Sequence, residues 1–253
     1  MKIALGTVQF GTHYGIANAN GQVNSSEVKV ILDHARNSGV DTIDTAISYG
    51  SSEQSLGDAG VEGFQVVSKL PQIPEDYGDL RLWINRQVHR SLKSLGVKKL
   101  SGLLLHRPSQ LFDPDKKELW SLLLQLKSDG LVEKVGFSIY TPNELDELWG
   151  AFKPDLVQAP YNVIDRRLVD SGWLQRMHEE KVEVHVRSIF LQGLLLMNEG
   201  SRPAKFSKWA SVWRQWESWL KANDIAPVQA AVSFALSESR ISKVVVGVDG
   251  LGH

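Results

Sequence analysis

The stretch from FQVVSK at residues 64–69 to LSGLLLH at residues 100–106 decides the fold of this chain of 253 residues. Both segments are short, nearly continuous apolar runs, which are typical of parallel strands that are buried on both faces. Residues 80–95 between them have a helix-like pattern that stops at Gly96. A strand, a helix and a second strand in this order predict a βαβ unit with parallel strands.

The same alternation continues in both directions along the chain. Further apolar runs predict strands at residues 2–7, 39–44, 133–138, 155–158, 182–187 and 243–247. Helix-like segments lie at residues 25–37, 115–128, 142–149, 174–180, 206–222 and 228–237, the first with Ser25 as its predicted cap. Eight strands in a chain of this size favour a closed (β/α)8 TIM barrel over an open sheet. Because no linker-like composition interrupts the pattern, we expect one domain over residues 1–253.

Composition excludes several classes of function. The 28 basic and 29 acidic residues leave a net charge of -1, so no basic field is available to hold nucleic acid or an anionic membrane. The chain has no cysteine, which excludes disulfides, thiolate catalysis and cysteine-ligated zinc. No histidine spacing indicates a metal site either. Without a signal-like start or a membrane-length apolar run, we expect a cytoplasmic protein.

The predicted strand ends are rich in polar residues. In this fold, active sites lie at the C-terminal ends of the strands. The residues at those ends are Thr7, Asp44, Lys69, His106, Ser138, Gln158, Arg187 and Gly247. As a set they predict one shared polar pocket, although at any single strand a polar residue can simply mark where the strand reaches the surface.

Four of these side chains predict a proton relay. In DTAISYG at residues 44–50, Asp44 ends a strand and Tyr49 follows on the loop. A phenol has a pKa of about 10, and a nearby ammonium such as Lys69 would lower it. Asp44 can keep Lys69 charged, and His106 can hydrogen-bond a substrate oxygen. Such a relay suits carbonyl reduction with a nicotinamide as hydride donor, but each residue can also be structural, for instance as an ion pair at the barrel rim.

Several motifs of the chain are similar to those of a known family. DTAISYGSSEQSLG at residues 44–57 resembles the signature of the aldo-keto reductase family. Further similar segments follow in the family's order: LGTVQFGTHYG (5–15), SKL (68–70), SLKSLGVKKLSGLLLHRP (91–108), LKSDGLVEKVGFS (126–138) and LVQAPYNVIDRR (156–167).

The resemblance implies an NADP(H)-dependent oxidoreductase that reduces an aldehyde, ketone or sugar carbonyl to an alcohol, with NAD(H) as the alternative cofactor. It assigns the role of general acid to Tyr49. Lys69 and Asp44 would tune that acid, and His106 would orient the carbonyl of the small-molecule substrate.

The resemblance also implies a set of cofactor contacts. Ser138 and Gln158 would bind the nicotinamide amide, and Gly6 and Thr7 would lie near the same ring. The residue at the end of the seventh strand, where the family usually has an aromatic that stacks on nicotinamide, is Arg187. A guanidinium can stack on a ring, or it can bind an anionic group of the substrate. A second departure is Ile139, which stands where the family commonly has an asparagine.

The segment after the last strand differs from the family as well. VVVGVDGLGH at residues 244–253 lacks the loop and helix that hold the adenosine phosphate, so we expect a barrel truncated after the eighth strand. This leaves open a non-catalytic regulatory or scaffold barrel, and a third alternative is an aldolase with Lys69 as its Schiff base. A face with Trp209, Trp213 and Trp216 is typical of core packing or of an interface in a homo-oligomer.

Overall fold

The computed structural model describes residues 1–198 and 200–252, and its strands form a closed parallel barrel. The strands are β1 (Ile3–Gly6), β2 (Thr42–Asp44), β3 (Gln65–Leu70), β4 (Gly102–Leu105), β5 (Val135–Ser138), β6 (Leu156–Pro160), β7 (Glu183–Arg187) and β8 (Lys243–Gly247). Each strand pairs with the next, and β8 closes the barrel by pairing with β1 in parallel. The prediction of a (β/α)8 barrel with these eight strands is confirmed.

Helices connect the strands on the outside of the barrel. Within the described residues they are α1 (Ser25–Asn37), α2 (Ser52–Ala59), α3 (Leu80–Leu95), α4 (Leu119–Ser128), α5 (Asn143–Leu148), α6 (Arg167–Asp170), α7 (Trp173–Glu179), α8 (Ala210–Ala222) and α9 (Pro227–Ser237). The cap predicted for α1 is wrong by one residue. The side chain of Asn24, not of Ser25, accepts the hydrogen bond from the backbone N–H of Glu27.

Several segments differ from the sequence prediction, among them α2 and the start of α4. Helix α2 begins three residues after Tyr49, in a stretch for which no helix was predicted, since Gly57 and two serines give it a weak helical signal. Gly57 serves packing, because a β-carbon there would lie 1.9 Å from the carbonyl oxygen of Ser94 on α3. The predicted helix at 115–128 starts instead as a 3-10 turn at Pro114–Lys116, and the α-helical part begins at Leu119.

The core has an inner and an outer part. Val67, Leu104 and Leu156 form a small cluster of their own, contributed by β3, β4 and β6, that fills the barrel lumen. The much larger main cluster packs the outward-facing strand residues against the helices. Because the lumen is filled with side chains, a small molecule can reach polar residues only at an end of the barrel.

The tryptophan face of α8 is partly core. Trp213 and Trp216 are buried in a separate cluster with Leu195, whereas Trp209 is exposed. Val246 of β8 is only partly buried. Within the described part of the chain, no helix is both long and apolar enough to cross a membrane. The same residues contain no group of three or more histidine, aspartate or glutamate side chains placed to bind a metal.

Candidate active site

A buried ion pair joins the C-terminal ends of β2 and β3. Lys69 Nζ donates hydrogen bonds at 2.8 Å to both carboxylate oxygens of Asp44 and to the carbonyl oxygen of Thr45. The side chains of Lys69 and Asp44 are only 0% and 6% exposed. Burial alone would lower the pKa of Lys69, but the Asp44 carboxylate and Tyr49 outweigh this effect and hold that pKa above its ordinary value. Lys69 therefore stays charged and its ammonium protons are all engaged.

The ring of Tyr49 lies beside this pair. Lys69 Nζ is 5.1 Å from the centroid of the Tyr49 ring, and the His106 ring packs edge-on at a centroid distance of 5.8 Å. The turn that carries Tyr49 touches the loop after β1, since a β-carbon at Gly11 would lie 1.8 Å from the carbonyl oxygen of Tyr49. Gly50 completes the turn with a positive φ of 57°. Close backbone contact thus fixes the position of the phenol.

His106 is held in its neutral form. Burial and the positive charges of Lys69 and Arg187 lower the pKa of His106 to about 4. Ser48 Oγ lies 3.2 Å from His106 Nδ1. With the Ser48 hydroxyl as donor to Nδ1, the proton of the neutral ring resides on Nε2. Sequence reasoning missed Ser48, because nothing in the spacing indicates a contact between residues 58 positions apart.

Gln158 lies between the ion pair and Ser138. Its Nε2 donates to Asp44 Oδ1 at 2.6 Å, and it lies next to Ser138 in the register of β5 and β6. Gln158 Oε1 and Ser138 Oγ are buried and have no hydrogen-bond partner among the described residues. Such atoms are uncommon and call for an explanation. A primary carboxamide offers the N–H donors that both oxygens lack, so the pair fits the amide of a nicotinamide cofactor.

Gly6 and Thr7 lie at the same end of the barrel. Gly6 pairs with both Asp44 and Gly247 in the sheet. Thr7 is fully buried, and its hydroxyl donates to the carbonyl oxygen of Asp44 at 3.0 Å while Ser52 Oγ donates to its carbonyl oxygen at 2.8 Å. Thr7 therefore supports the end of β2, and its contact with a cofactor stays a prediction.

A buried glutamate links α2 to the lysine strand. Glu53 Oε1 accepts hydrogen bonds from Ser68 Oγ at 2.7 Å and from Ser91 Oγ at 2.6 Å. Ser68 immediately precedes Lys69, so these bonds help to fix the strand that carries the ammonium. Glu53 belongs to the motif at residues 44–57, but this role was not predicted, because an acidic residue on a helix does not by itself indicate burial.

Arg187 lies at the end of β7, as predicted. Its guanidinium donates to the carbonyl oxygen of Ile139 at 3.0 Å and to Ser188 Oγ at 3.2 Å. Its Cζ is 4.7 Å from the centroid of the Tyr140 ring. The structure therefore brings all nine predicted site residues to one end of the barrel.

Comparison with known proteins places these features in context. Over 260 residues the chain is 25% identical to the NADH-specific methylglyoxal reductase of Escherichia coli strain K12, with 88% of this chain and 74% of that protein covered. It is 28% identical over 139 residues to an uncharacterized oxidoreductase of Schizosaccharomyces pombe. That match covers 51% of this chain and 49% of the yeast protein. The chain thus spans about half of that protein's length.

Solved structures show the same fold. An aldo-keto reductase from Bacillus halodurans in its holo form superposes with a TM-score of 0.77 at 20% identity, covering 99% of this chain and 83% of that one. The glycerol dehydrogenase of Gluconobacter oxydans gives a TM-score of 0.74 at 22% identity, with the same coverage of 99% and 83%. The sequence model of the Aldo/keto reductase family matches residues 2–253. The chain therefore belongs to the aldo/keto reductase family.

Proposed function

We propose that this protein is a nicotinamide-dependent oxidoreductase that reduces the carbonyl group of an aldehyde, ketone or sugar to an alcohol. The catalytic set would be Asp44, Tyr49, Lys69 and His106. The observation that carries the proposal is the buried, charged Lys69 at 5.1 Å from the Tyr49 ring, with a neutral His106 packed edge-on against that ring.

In this proposal Tyr49 is the general acid. A phenol that gives its proton to a carbonyl oxygen leaves a phenolate, and the fixed positive charge of Lys69 stabilises that anion. Asp44 holds Lys69 through two of its three hydrogen bonds. The relay therefore needs no rearrangement of charged groups when the proton moves.

His106 orients the substrate and is not the acid. Its pKa of about 4 leaves it uncharged near neutral pH. A proton on Nε2 makes the ring a hydrogen-bond donor toward the carbonyl oxygen, while Ser48 occupies Nδ1. The same oxygen can then accept one hydrogen bond from His106 and the proton from Tyr49.

The cofactor would bind next to Gln158 Oε1 and Ser138 Oγ, the two buried oxygen atoms without a hydrogen-bond partner among the described residues. When bound, a nicotinamide supplies the hydride that adds to the carbonyl carbon. Ser138 and Gln158 would hold its carboxamide, with Gly6, Thr7 and Arg187 as neighbours. We propose NADP(H) as the cofactor and keep NAD(H) as the alternative, since the similar Escherichia coli protein is named as NADH-specific.

The aldolase alternative is not favoured by the geometry. A Schiff base forms from a neutral, accessible amine. Lys69 is fully buried, donates to three oxygens and has a pKa above its ordinary value. Its amine is therefore both protonated and shielded.

The decisive test replaces Tyr49 by phenylalanine. We expect kcat for carbonyl reduction, followed by nicotinamide absorbance, to fall by roughly 10²- to 10⁴-fold, the usual contribution of a general acid. Circular dichroism and cofactor affinity should stay unchanged, because only the hydroxyl is removed. Tyr77→Phe is the matched control, since the Tyr77 hydroxyl donates to the carbonyl oxygen of Asp115 instead. Turnover of the Tyr49 variant at the wild-type rate would refute the mechanism.

Fluorescence titration with NADPH and NADH tests the cofactor separately. Binding of either cofactor to the folded protein is expected, and Gln158→Ala should weaken it because one amide acceptor is lost. If neither cofactor binds a protein whose fold is intact, the non-catalytic barrel becomes the better interpretation.

A further inference from the structure

The mouth of the candidate site carries two arginines that share one aromatic ring. The Cζ atoms of Arg187 and Arg107 lie 4.7 Å and 4.9 Å from the centroid of the Tyr140 ring. Arg107 directly follows His106 in the chain. Neither guanidinium forms a salt bridge with any described carboxylate. This end of the barrel therefore presents two guanidinium groups that have no salt-bridge partner among the described residues.

Arg187 differs from the other arginines in its burial. Among the described residues, arginines without a carboxylate partner are exposed to solvent, with Arg187 as the exception because it is partly buried. The side chain of Arg202 is only 7% exposed, but it is paired with Glu217. Taking a guanidinium out of water without a counter-ion is costly. A bound anion would offset that cost.

The guanidinium of Arg187 is held in place with donors to spare. Two of its N–H groups are used, toward Ile139 and Ser188, whereas a guanidinium has five. Ser188 adopts a positive φ of 61°, a conformation that is unfavourable for a residue other than glycine. Asn162 stabilises this turn by donating to the carbonyl oxygen of Ser188 at 3.1 Å. Strained backbone held by a specific hydrogen bond is typical of a functional position.

Arg187 is also electrostatically close to the reacting groups. Its charge contributes to the lowered pKa of His106, after burial and Lys69. It acts in the same direction on the phenol of Tyr14, whose pKa is nevertheless raised, mainly by burial and by the neighbouring Tyr49. An anion bound by Arg187 would therefore lie beside the carbonyl site and within the same pocket.

We propose that Arg187, with Arg107 at the outer edge, binds an anionic group of the carbonyl substrate, either a carboxylate or a phosphoryl group. This inference rests on the proposed reductase function and adds the substrate class to it. A guanidinium pairs with either group through two parallel hydrogen bonds, which gives orientation as well as affinity. The carbonyl oxygen of the same substrate would then face Tyr49 and His106.

Matched substrate pairs test the proposal by kinetics. Butanal is compared with 4-oxobutanoate, and glyceraldehyde with glyceraldehyde 3-phosphate, so that each pair differs in one anionic group. We expect the anionic member of at least one pair to have a kcat/KM about 10- to 100-fold higher, the effect of hydrogen bonds to a charged group. The pair with the larger ratio identifies the carboxylate or the phosphoryl group as the recognised anion.

Variants identify the residue responsible. Arg187→Met should abolish the preference for the anionic member, Arg187→Lys should retain part of it, and the exposed Arg107→Met should reduce it by only a few-fold. Arg214→Met is the matched control, because Arg214 is exposed on α8 and belongs to no described ion pair. The proposal would be overturned if Arg187→Met lowered kcat/KM equally for both members of every pair. It would also be overturned if weaker cofactor binding were the only defect of this variant, and Arg187 would then be a cofactor contact.

A binding measurement separates this inference from the reductase function. Butanoate and glycerol 3-phosphate contain no carbonyl that can be reduced, so calorimetric titration reads anion binding without turnover. We expect at least one of them to bind the wild-type protein and to bind Arg187→Met about tenfold or more weakly. Such binding in a protein that reduces no carbonyl would refute the reductase function alone. Binding that is equal in both proteins, or absent from both, would refute the anion site.

Discussion

The two ends of the barrel both carry ion pairs, but their surroundings differ. At the C-terminal end, Lys69 and Asp44 have side chains that are 0% and 6% exposed. At the N-terminal end, Lys134 pairs with Glu183, and these side chains are 38% and 25% exposed. Glu183 also accepts a hydrogen bond from the buried His185 at 2.7 Å. The first pair is thus shielded from water and the second is partly solvated.

The difference shows which features mark a site. An unpartnered buried atom also occurs next to the second pair, since His185 contacts Glu183 through Nε2 while its Nδ1 lacks a partner among the described residues, just as Ser138 Oγ does. An unpaired polar atom therefore does not by itself indicate function. Among the residues that the structure describes, only the C-terminal end combines such atoms with a buried ammonium, a neighbouring phenol and a neutral histidine.

We expect the largest effect on stability when one partner of the buried Lys69–Asp44 ion pair is removed. Lys69→Met leaves the Asp44 carboxylate buried with only the Gln158 amide as a side-chain donor. We expect the free energy of unfolding, measured with urea, to fall by about 3–5 kcal/mol, because an uncompensated buried charge remains. A loss below about 1 kcal/mol would mean that water reaches Asp44 and that the two ends are alike.

The second largest effect concerns pH, because stability should depend on pH in a different range at each end of the barrel. The pKa of His106 is about 4 in the folded protein instead of 6.5, so the unfolded chain binds this proton first as the pH falls. Above pH 6.5 the His106 ring is mostly neutral in both the folded and the unfolded chain, so the free energy of unfolding is not reduced there. We expect about 2–3 kcal/mol to be lost between pH 6.5 and pH 4. His106→Asn should remove this loss.

Glu183 provides the contrast at the other end. Hydrogen bonds from His185 and Lys134 lower the pKa of Glu183 from 4.5 to about 2 against the opposing effect of burial. Its stabilisation is complete above pH 4.5 and disappears toward pH 2. Glu183→Gln should therefore alter the unfolding profile mainly below pH 4.5, whereas His106→Asn should alter it mainly between pH 6.5 and pH 4. A change in Glu183→Gln that is complete above pH 4.5 would contradict the assignment.

The next effect concerns the backbone contact that positions Tyr49. In Gly11→Ala the new β-carbon would lie 1.8 Å from the carbonyl oxygen of Tyr49, so the turn must move. We expect a loss of stability of about 1–3 kcal/mol together with a lower kcat. Gly150→Ala is the matched control, because no atom lies within 4 Å of the added carbon there. Unchanged kcat in Gly11→Ala would show that the phenol is not positioned by this contact.

The smallest effect should come from the solvated pair. Lys134→Met removes the ammonium partner of Glu183, while His185 still donates to that carboxylate. We expect a change of no more than about 1 kcal/mol, as is usual for exposed ion pairs. A larger loss, measured by the same urea unfolding, would show that Glu183 depends on Lys134 as strongly as Asp44 depends on Lys69.

Much of the fold could be read from local patterns. Apolar runs bounded by turn residues predict all eight strands, and α1 and α3 were predicted with their observed ends. Helix α2 could not be predicted, because its eight residues include Gly57 and its stability depends on packing against α3. The position of the candidate site residues at one end of the barrel was predictable, because the C-terminal ends of the strands of a parallel barrel meet there. Their roles stay a prediction.

What the sequence by itself determined is the barrel and the types of side chain that are gathered at the C-terminal ends of its strands. Only the tertiary structure decided how those side chains are charged and paired. The ammonium of Lys69 depends on three acceptors brought together by folding, and the neutral state of His106 depends on burial and on charges from other strands. The position of Arg187 over the Tyr140 ring is likewise a tertiary property. Strand patterns are local, whereas desolvation and Coulomb interactions depend on distances between residues that are remote in the chain.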